Sequence, residues 1–289
     1  MINNPNLNVE DKIAKASAFL LSSPPGEEDD VFNDVRGLIN DDKALQANIV
    51  PILAQLNKDR FLCVDVPDMD SKTLITKYNQ LEDDKYVDFN AGKVVIFDHL
   101  RGASSGLHTA RVICTEDYQR ESALGDLRSC LQKNMSEYIE DRYRDGVGAV
   151  FISQDDSHIV ICLLNNKFSP DNFWNGSWRS TWTLNPASGS LEGKVTVHIH
   201  YYEDGNVQQI SEHSFQESVE PTDEHAALSL AVIKKIRILE QQYHRSLNDY
   251  YSQIADKAFK EFRRVLPLTR SKIDWDKVTT ASILRAAAS

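Results

Sequence analysis

Nowhere in the 289 residues is there a run of about 18 apolar residues, the length a membrane-spanning helix needs. The early apolar patch, "AFLLSS" at 18–23, follows acidic residues and is too short for a signal-peptide core, so no leader is expected. Cysteine is scarce. The four residues, Cys63, Cys114, Cys130 and Cys162, form no CxxC pair, which argues against a zinc cage or disulfide framework and for free thiols in a cytosolic protein. GxGxxG, phosphate-loop, GxSxG and HExxH signatures are all missing. Positive charge is short as well. Lys and Arg number 32 against 43 Asp and Glu, and a net charge of −11 argues against nucleic acid as the main ligand. What remains is an ordinary globular composition, 41% hydrophobic, on a chain long enough to bury a sizeable core.

The first 57 residues read as three helices. Ile13, Ala16, Phe19 and Leu20 recur at helical spacing from Val9 to about Leu21, and "SSPPGE" then breaks the pattern. A second helix over Glu27–Ile39 carries Val31, Val35, Leu38 and Ile39 on one side and acids in its first turn. A third, from Asn40–Asp41, carries Leu45, Ile49, Ile52, Leu53 and Leu56, with a kink or break expected at Pro51. Short links between amphipathic helices favour an antiparallel bundle. "FLCVDV", "TLITKY", "KYVDF" and "KVVIFDHL" read as a small β region. One helix is expected from a Thr115 cap to Gly146, with Leu124, Leu127, Leu131, Met135, Tyr138 and Ile139 on one side. Residues 147–216 read as an antiparallel sheet whose clearest hairpin turns at Asp204–Gly205, and Trp178, Ser180, Trp182 and Leu184 share a face. A helix of about 65 Å is expected from Thr222 to Val265, striped by Leu230, Ile233, Tyr243, Leu247, Tyr250, Ile254, Ala258 and Phe262. Pro267 ends it, and a short terminal helix can follow. "SPPG" and Ala103–Leu107 read as exposed turns. The class is α+β: a three-helix stalk (1–58), a small β globule (59–111), a helix plus antiparallel sheet (112–220), a long helix (221–266) and a C-terminal segment (267–289).

Catalytic signals are weak. His198 and His200 point to one face of a strand, but no third ligand has metal-site spacing, and a solvated or subunit-facing sheet surface is expected. "EEDD" and "EDDK" lack the glycine and alternation of a calcium loop. Cys114 and Cys162 have no locatable base and read as buried structural thiols. Three tryptophans in "NFWNGSWRSTW" suggest core or a subunit interface before a ligand platform. The C-terminal segment differs. Residues 257–289 carry +5 while the rest of the chain carries −16. Lys260 and Arg264 share a helical face, Arg270 and Lys272 extend the patch, and Phe262, Ile273 and Trp275 supply apolar surface. Such a patch suits an acidic protein surface, anionic lipid or nucleic acid, and the aromatic content favours protein.

Several long motifs in order, "PPGE" with "VFNDVRGLINDD", "FDHL" at 97–100, "NFWNGSWRS" at 172–180, "VHIHYYEDGNVQ" at 197–208 and "FKEFRRVLPLTRSKIDW" at 259–275, make the chain resemble the alpha subunits of the F-actin capping proteins (CapZ-type). The resemblance runs through most of the chain and is looser between about Asp65 and Lys133. It implies an N-terminal three-helix stalk, a small β globule, a five-stranded antiparallel sheet covered by a long helix, and a C-terminal amphipathic tentacle. It also implies obligate pairing with a beta subunit, the two sheets joining into one. The heterodimer would sit on the barbed end of an actin filament, in the cytoplasm at cortical actin, and block subunit addition and loss without calcium, catalysis, nucleotide, metal or other cofactor. The family's basic tentacle cluster, which meets acidic actin surface, falls on Lys260, Arg264 and Arg270 with Arg263 adjacent. Lys272, Ile273, Trp275, Val278, Ile283 and Leu284 follow in the tentacle, although "KVTTASILRAAAS" is richer in Ala, Thr and Ser than family tails. Regulation by phosphoinositides and by capping regulators at the same basic region is implied too. The rival readings are a membrane adaptor that binds phosphoinositides through this patch, and an enzyme built on His198 and His200.

Overall fold

The computed structural model describes residues 9–66, 69, 72–100, 112–203 and 205–253. Three helices come first: α1 (Val9–Leu21), α2 (Glu28–Ile39) and α3 (Asp42–Asp59). Asn40 in the left-handed region ends α2, and the Asp41 side chain accepts from the Ala44 amide (3.1 Å) to start α3. The helices share one core, with Ile13, Leu20, Phe32, Val35, Ile49 and Leu53 at its centre. Two expected stripe residues, Phe19 and Leu38, are instead exposed, because the phase of each helix is set by its other apolar positions. Pro51 does not break α3. It sits on the exposed side, and burial of Leu45, Ile49, Leu53 and Leu56 on the other outweighs one lost backbone hydrogen bond.

The small β region contains a two-stranded pair, β1 (Leu62–Val64) with β2 (Thr73–Ile75). It also contains a four-stranded sheet of β3 (Gln80–Glu82), β4 (Lys85–Asp88), β5 (Lys93–Phe97) and β6 (Val112–Asp117). Strand β6 corrects the expected helix start. Thr115 caps nothing; it pairs with Val95 across the ladder. Helix α4 begins only at Gly125 and ends at Arg142, burying Leu127, Leu131, Met135, Tyr138 and Ile139.

The larger sheet is an antiparallel meander, β7 (Val147–Ile152), β8 (Ile159–Ser169), β9 (Trp174–Asn185), β10 (Ser190–Tyr201) and β11 (Val207–Ser218), in spatial order β11-β10-β9-β8-β7. The β10–β11 hairpin pairs Tyr201 with Val207, so its loop is the five residues 202–206. Helix α5 follows over His225–Gln253. The expected continuation to Val265 and the Pro267 stop lie outside the described residues. Along α5 the buried stripe is Leu228, Val232, Ile236 and Leu239, joined by Ile233, Tyr243 and Leu247, while Leu230 and Tyr250 are exposed. The chain divides after Glu240 into two compact units. In the second, the described part is the end of α5, where the Ser246 and Ser252 hydroxyls bond back to the Tyr243 and Asn248 carbonyls (2.8 and 3.0 Å).

Gly193 on β10 lies opposite Trp182 on β9, and a β-carbon there would come within 2.2 Å of the indole ring. Trp182 is fully buried and stacks on Phe215 of β11 at 5.2 Å, so neither ring can yield cheaply. Gly193→Ala is therefore expected to lower stability by about 1–3 kcal/mol, the usual cost of overpacking, read as a lower midpoint in urea unfolding at unchanged slope.

Candidate functional site

Two polar joints hold the sheet, one on each face. On the α5 face, Glu240 is buried and accepts three hydrogen bonds. The Trp182 indole nitrogen donates to Oε1 (3.1 Å), and the Tyr138 and Tyr143 hydroxyls donate to Oε2 (2.7 and 2.6 Å). One carboxylate thus ties α5 to strand β9 and to both ends of the α4 C-terminal turn. Burial first, and then the neighbouring carboxylate, push both phenols above their usual range, so they stay protonated donors. Lys235 with Glu217 of β11 (2.7 Å) and Arg237 with Asp141 of α4 (2.9 Å) flank this anchor.

On the opposite face the sheet meets the helical stalk. The "PPGE" turn is not exposed as expected: Ser23, Pro24 and Pro25 are buried. Arg60, just past α3, explains why. Its guanidinium donates to the carbonyls of Leu21 (3.3 Å), Ser23 and Pro24 (3.4 Å) and to the Glu28 carboxylate. A single cation thereby satisfies carbonyls at the end of α1 and a carboxylate at the start of α2. Glu27 then reaches the sheet. Its Oε1 pairs with His200 Nδ1 (2.6 Å) and accepts from Asn175 (3.3 Å), and His200 Nε2 meets Asn206 (3.0 Å). His198 bonds Gln208 across the hairpin (3.2 Å). The expected solvated or subunit-facing surface is not what these two histidines form. Strand parity placed them on one face correctly, but both are buried, because the stalk turn packs over them. His99 of "FDHL" makes a third joint, meeting Asn57 of α3 (3.0 Å) and Tyr86 of β4 (2.9 Å).

Neither Cys63 nor Cys162 is poised as a thiolate. Cys162 is fully buried and its pKa is pushed up by burial, and Cys63 is pushed up to about 11 for the same reason. Of the tryptophans, Trp182 is core, Trp178 is partly buried, and Trp174 faces the Lys167 ammonium (5.4 Å to the ring centroid). Cys114 is in β6, but its side chain lies outside the described residues, as does the Ala103–Leu107 turn.

Strand β11 is the surface with unused capacity. It forms one edge of the sheet, pairs with β10 alone among the described residues, and has no buried residue over its length. Val207 and Ile210 are each 62% exposed. A long edge strand of this kind offers a row of backbone donors and acceptors to another strand. The ten residues marked in the sequence, Lys260, Arg263, Arg264, Arg270, Lys272, Ile273, Trp275, Val278, Ile283 and Leu284, all lie outside the described residues. Sequence reasoning missed the joints made by Glu240, Glu27 and Arg60. Glu240 leaves a signal, a carboxylate inside the apolar series Ile236, Leu239 and Tyr243, and Glu27 lies in the "PPGE" motif.

The fold is of the α+β class, with polar joints between its elements and an open sheet edge at β11 among the described residues. Residues 16–286 match the model of the family described as F-actin capping protein alpha subunit. The F-actin-capping protein subunit alpha of Caenorhabditis elegans is 34% identical over 281 residues, covering 94% of this chain and 96% of that one. Its counterpart in Chaetomium thermophilum is 32% identical over 272 residues, covering 94% of each. The structure of the homodimeric actin capping protein alpha subunit from Plasmodium berghei shares the fold, with a TM-score of 0.75 at 21% identity over 91% of this chain and 100% of that one. The chain belongs to the F-actin capping protein alpha subunit family.

Glu240→Ala would leave a buried indole N–H and two phenol groups without their acceptor, and a loss of about 3 kcal/mol or more is expected, with Glu240→Gln losing less. Chemical unfolding of the two variants checks the order. His198 gives a pH signature. Burial first, then repulsion from Arg60, Arg179 and His200, lowers its pKa below 6.5 against a partial rise from the Gln208 hydrogen bond. The unfolded chain therefore binds the proton more readily, and stability is full above pH 6.5 and falls as pH drops below it. His198→Gln should flatten that part of the stability–pH curve; an unchanged slope would assign the dependence to other groups.

Proposed function

We propose that this chain is the alpha half of a heterodimer that binds the barbed end of actin filaments and blocks subunit addition and loss. The observation that carries the reading is the family match, which extends through residue 286 and so spans the whole basic segment from Lys257. The open edge of β11 supports the pairing, since a beta subunit's sheet would continue the ladder and cover Val207 and Ile210. The tail beyond Pro267 acts as the tentacle: Lys260, Arg263 and Arg264 at its base, with Arg270 and Lys272, meet acidic actin, and Ile273, Trp275, Val278, Ile283 and Leu284 meet apolar surface. No catalytic step, cofactor, calcium ion or nucleic acid enters this mechanism, and its place is the cortical actin cytoskeleton. Among the described residues no helix is long and apolar enough to cross a membrane.

The charge distribution makes the mechanism physically consistent. The bulk of the chain at −16 would repel an acidic filament, whereas the last 33 residues at +5 attract it. The Debye length is about 8 Å at physiological salt, so only local cations act at contact range and the distant acids are screened. Added salt is expected to slow association more than it speeds release.

Elongation from filament seeds, with the chain co-expressed with a beta subunit, tests this. Arrest of barbed-end growth is expected at sub-stoichiometric protein, with and without a calcium chelator. Lys260→Ala combined with Arg264→Ala is expected to weaken capping at least about tenfold, and Arg264→Glu more than Arg264→Ala because it adds repulsion. Wild-type capping by the double variant would remove the basic patch from the mechanism. Normal elongation by an assembled heterodimer that binds phosphoinositide vesicles would replace capping with the membrane-adaptor reading.

A further inference from the structure

A cavity of about 470 Å³ opens between the foot of the stalk and the sheet face opposite α5. Its charge is opposite to that of the chain. Lys58 of α3, Lys77 of the β2–β3 turn, Arg179 of β9 and Lys194 of β10 line it with Arg60, against only Asp59 and Glu212. Two of these cations are neutralised: Arg60 pairs with Glu28, and Lys194 pairs with Glu212 at 3.0 Å. The other three have neutral partners. Arg179 Nη1 donates to the Asp59 backbone carbonyl (2.8 Å), Lys58 Nζ to Gln80 Oε1 (3.1 Å), and Lys77 Nζ lies 5.1 Å from the Tyr78 ring centroid. Among the described residues no carboxylate forms an ion pair with Lys58, Lys77 or Arg179. Burial first, and then repulsion from Arg60, disfavour the charged form of Arg179, against partial support from the Asp59, Glu212 and Glu28 carboxylates. Thr181, Thr196 and Tyr78 add hydroxyl groups to the same wall.

Five cations against two carboxylates in one cavity repel one another, and a bound anion would offset that repulsion. A planar guanidinium suits the oxygens of a phosphate group, and two flanking ammonium groups suit a second one. We propose that this cavity is a binding site for a small anion carrying two or more phosphate groups. The overall charge of −11 gives no long-range attraction for such a ligand, so recognition is local to these side chains. Because the cations come from α3, the β2–β3 turn and β9, a bound polyphosphate bridges stalk, globule and sheet. It stabilises that arrangement by mass action. The site is separate from the C-terminal basic segment and does not depend on the capping mechanism.

Free polyphosphates and phosphorylated lipid headgroups share this chemistry, and two arms separate them. The first is titration calorimetry of the full chain, assembled with a beta subunit, against inorganic pyrophosphate. The second is sedimentation with phosphatidylcholine vesicles containing phosphatidylinositol bisphosphate. A free phosphate ligand predicts pyrophosphate binding that weakens at least about tenfold in both Arg179→Gln and Lys77→Gln. A headgroup ligand predicts vesicle binding that falls in the same two variants while pyrophosphate is silent. Arg264→Ala, in the C-terminal segment, is expected to leave the cavity's affinity unchanged. Lys77 is exposed, so Lys77→Gln should retain the wild-type melting temperature and isolate the charge effect. Binding in either arm that is equal in wild type and both variants, or no binding in either arm, would overturn the proposal.

Discussion

The buried carboxylate of Glu240 is the constraint on which the arrangement of the sheet's helical face depends. An amphipathic helix on a sheet can slide or rotate among near-equivalent packings, because apolar contacts are weakly directional. Three donors converging on two oxygens remove that freedom. Trp182 fixes the helix against β9, and Tyr138 and Tyr143 fix it against α4. The close approach of Gly193 to the Trp182 ring then follows: the indole must lie flat over β10 to reach Glu240, and only a residue without a β-carbon leaves it room. The opposite face uses the same device with the signs reversed. There Arg60 gathers the carbonyls at the end of α1 and the Glu28 carboxylate, and Glu27 passes the connection to His200.

Both joints leave the outer backbone edge of β11 unpaired among the described residues. The strand is long, its α5-side residues include Phe215 and Glu217, and its other side carries the exposed Ile210 beside the cationic cavity. A sheet clamped on both faces and open at one edge is suited to joining another sheet without internal rearrangement.

Much of this was legible in the sequence where local periodicity governs. The spacing of Ile13, Ala16 and Leu20 marks α1 over the residues observed, and the alternation of Trp178, Ser180, Trp182 and Leu184 fixes the face of β9. Errors arose where a distant partner decides. Residues 115–117 read as the start of a helix because a periodic helix follows closely, yet pairing with β5 makes them a strand. Leu230 and Ile233 both suit a stripe at helical spacing, and only packing selects the phase that buries Leu228, Val232 and Ile236. His198 and His200 were placed on the right face, but no local pattern announces that "PPGE" folds over them. The motifs behind the family resemblance supply Glu27, His99 and His200, each a member of a joint between elements remote in sequence.

The most direct test of the open-edge account is residue-resolved amide hydrogen exchange along β11 in the assembled heterodimer. In an edge strand, alternate amides point to β10 and to the outside. The account predicts slow exchange at both sets, because the partner's strand takes the outward row. Slow exchange at the β10-facing amides with solvent-like exchange at the others would contradict it and move the subunit interface elsewhere on the chain.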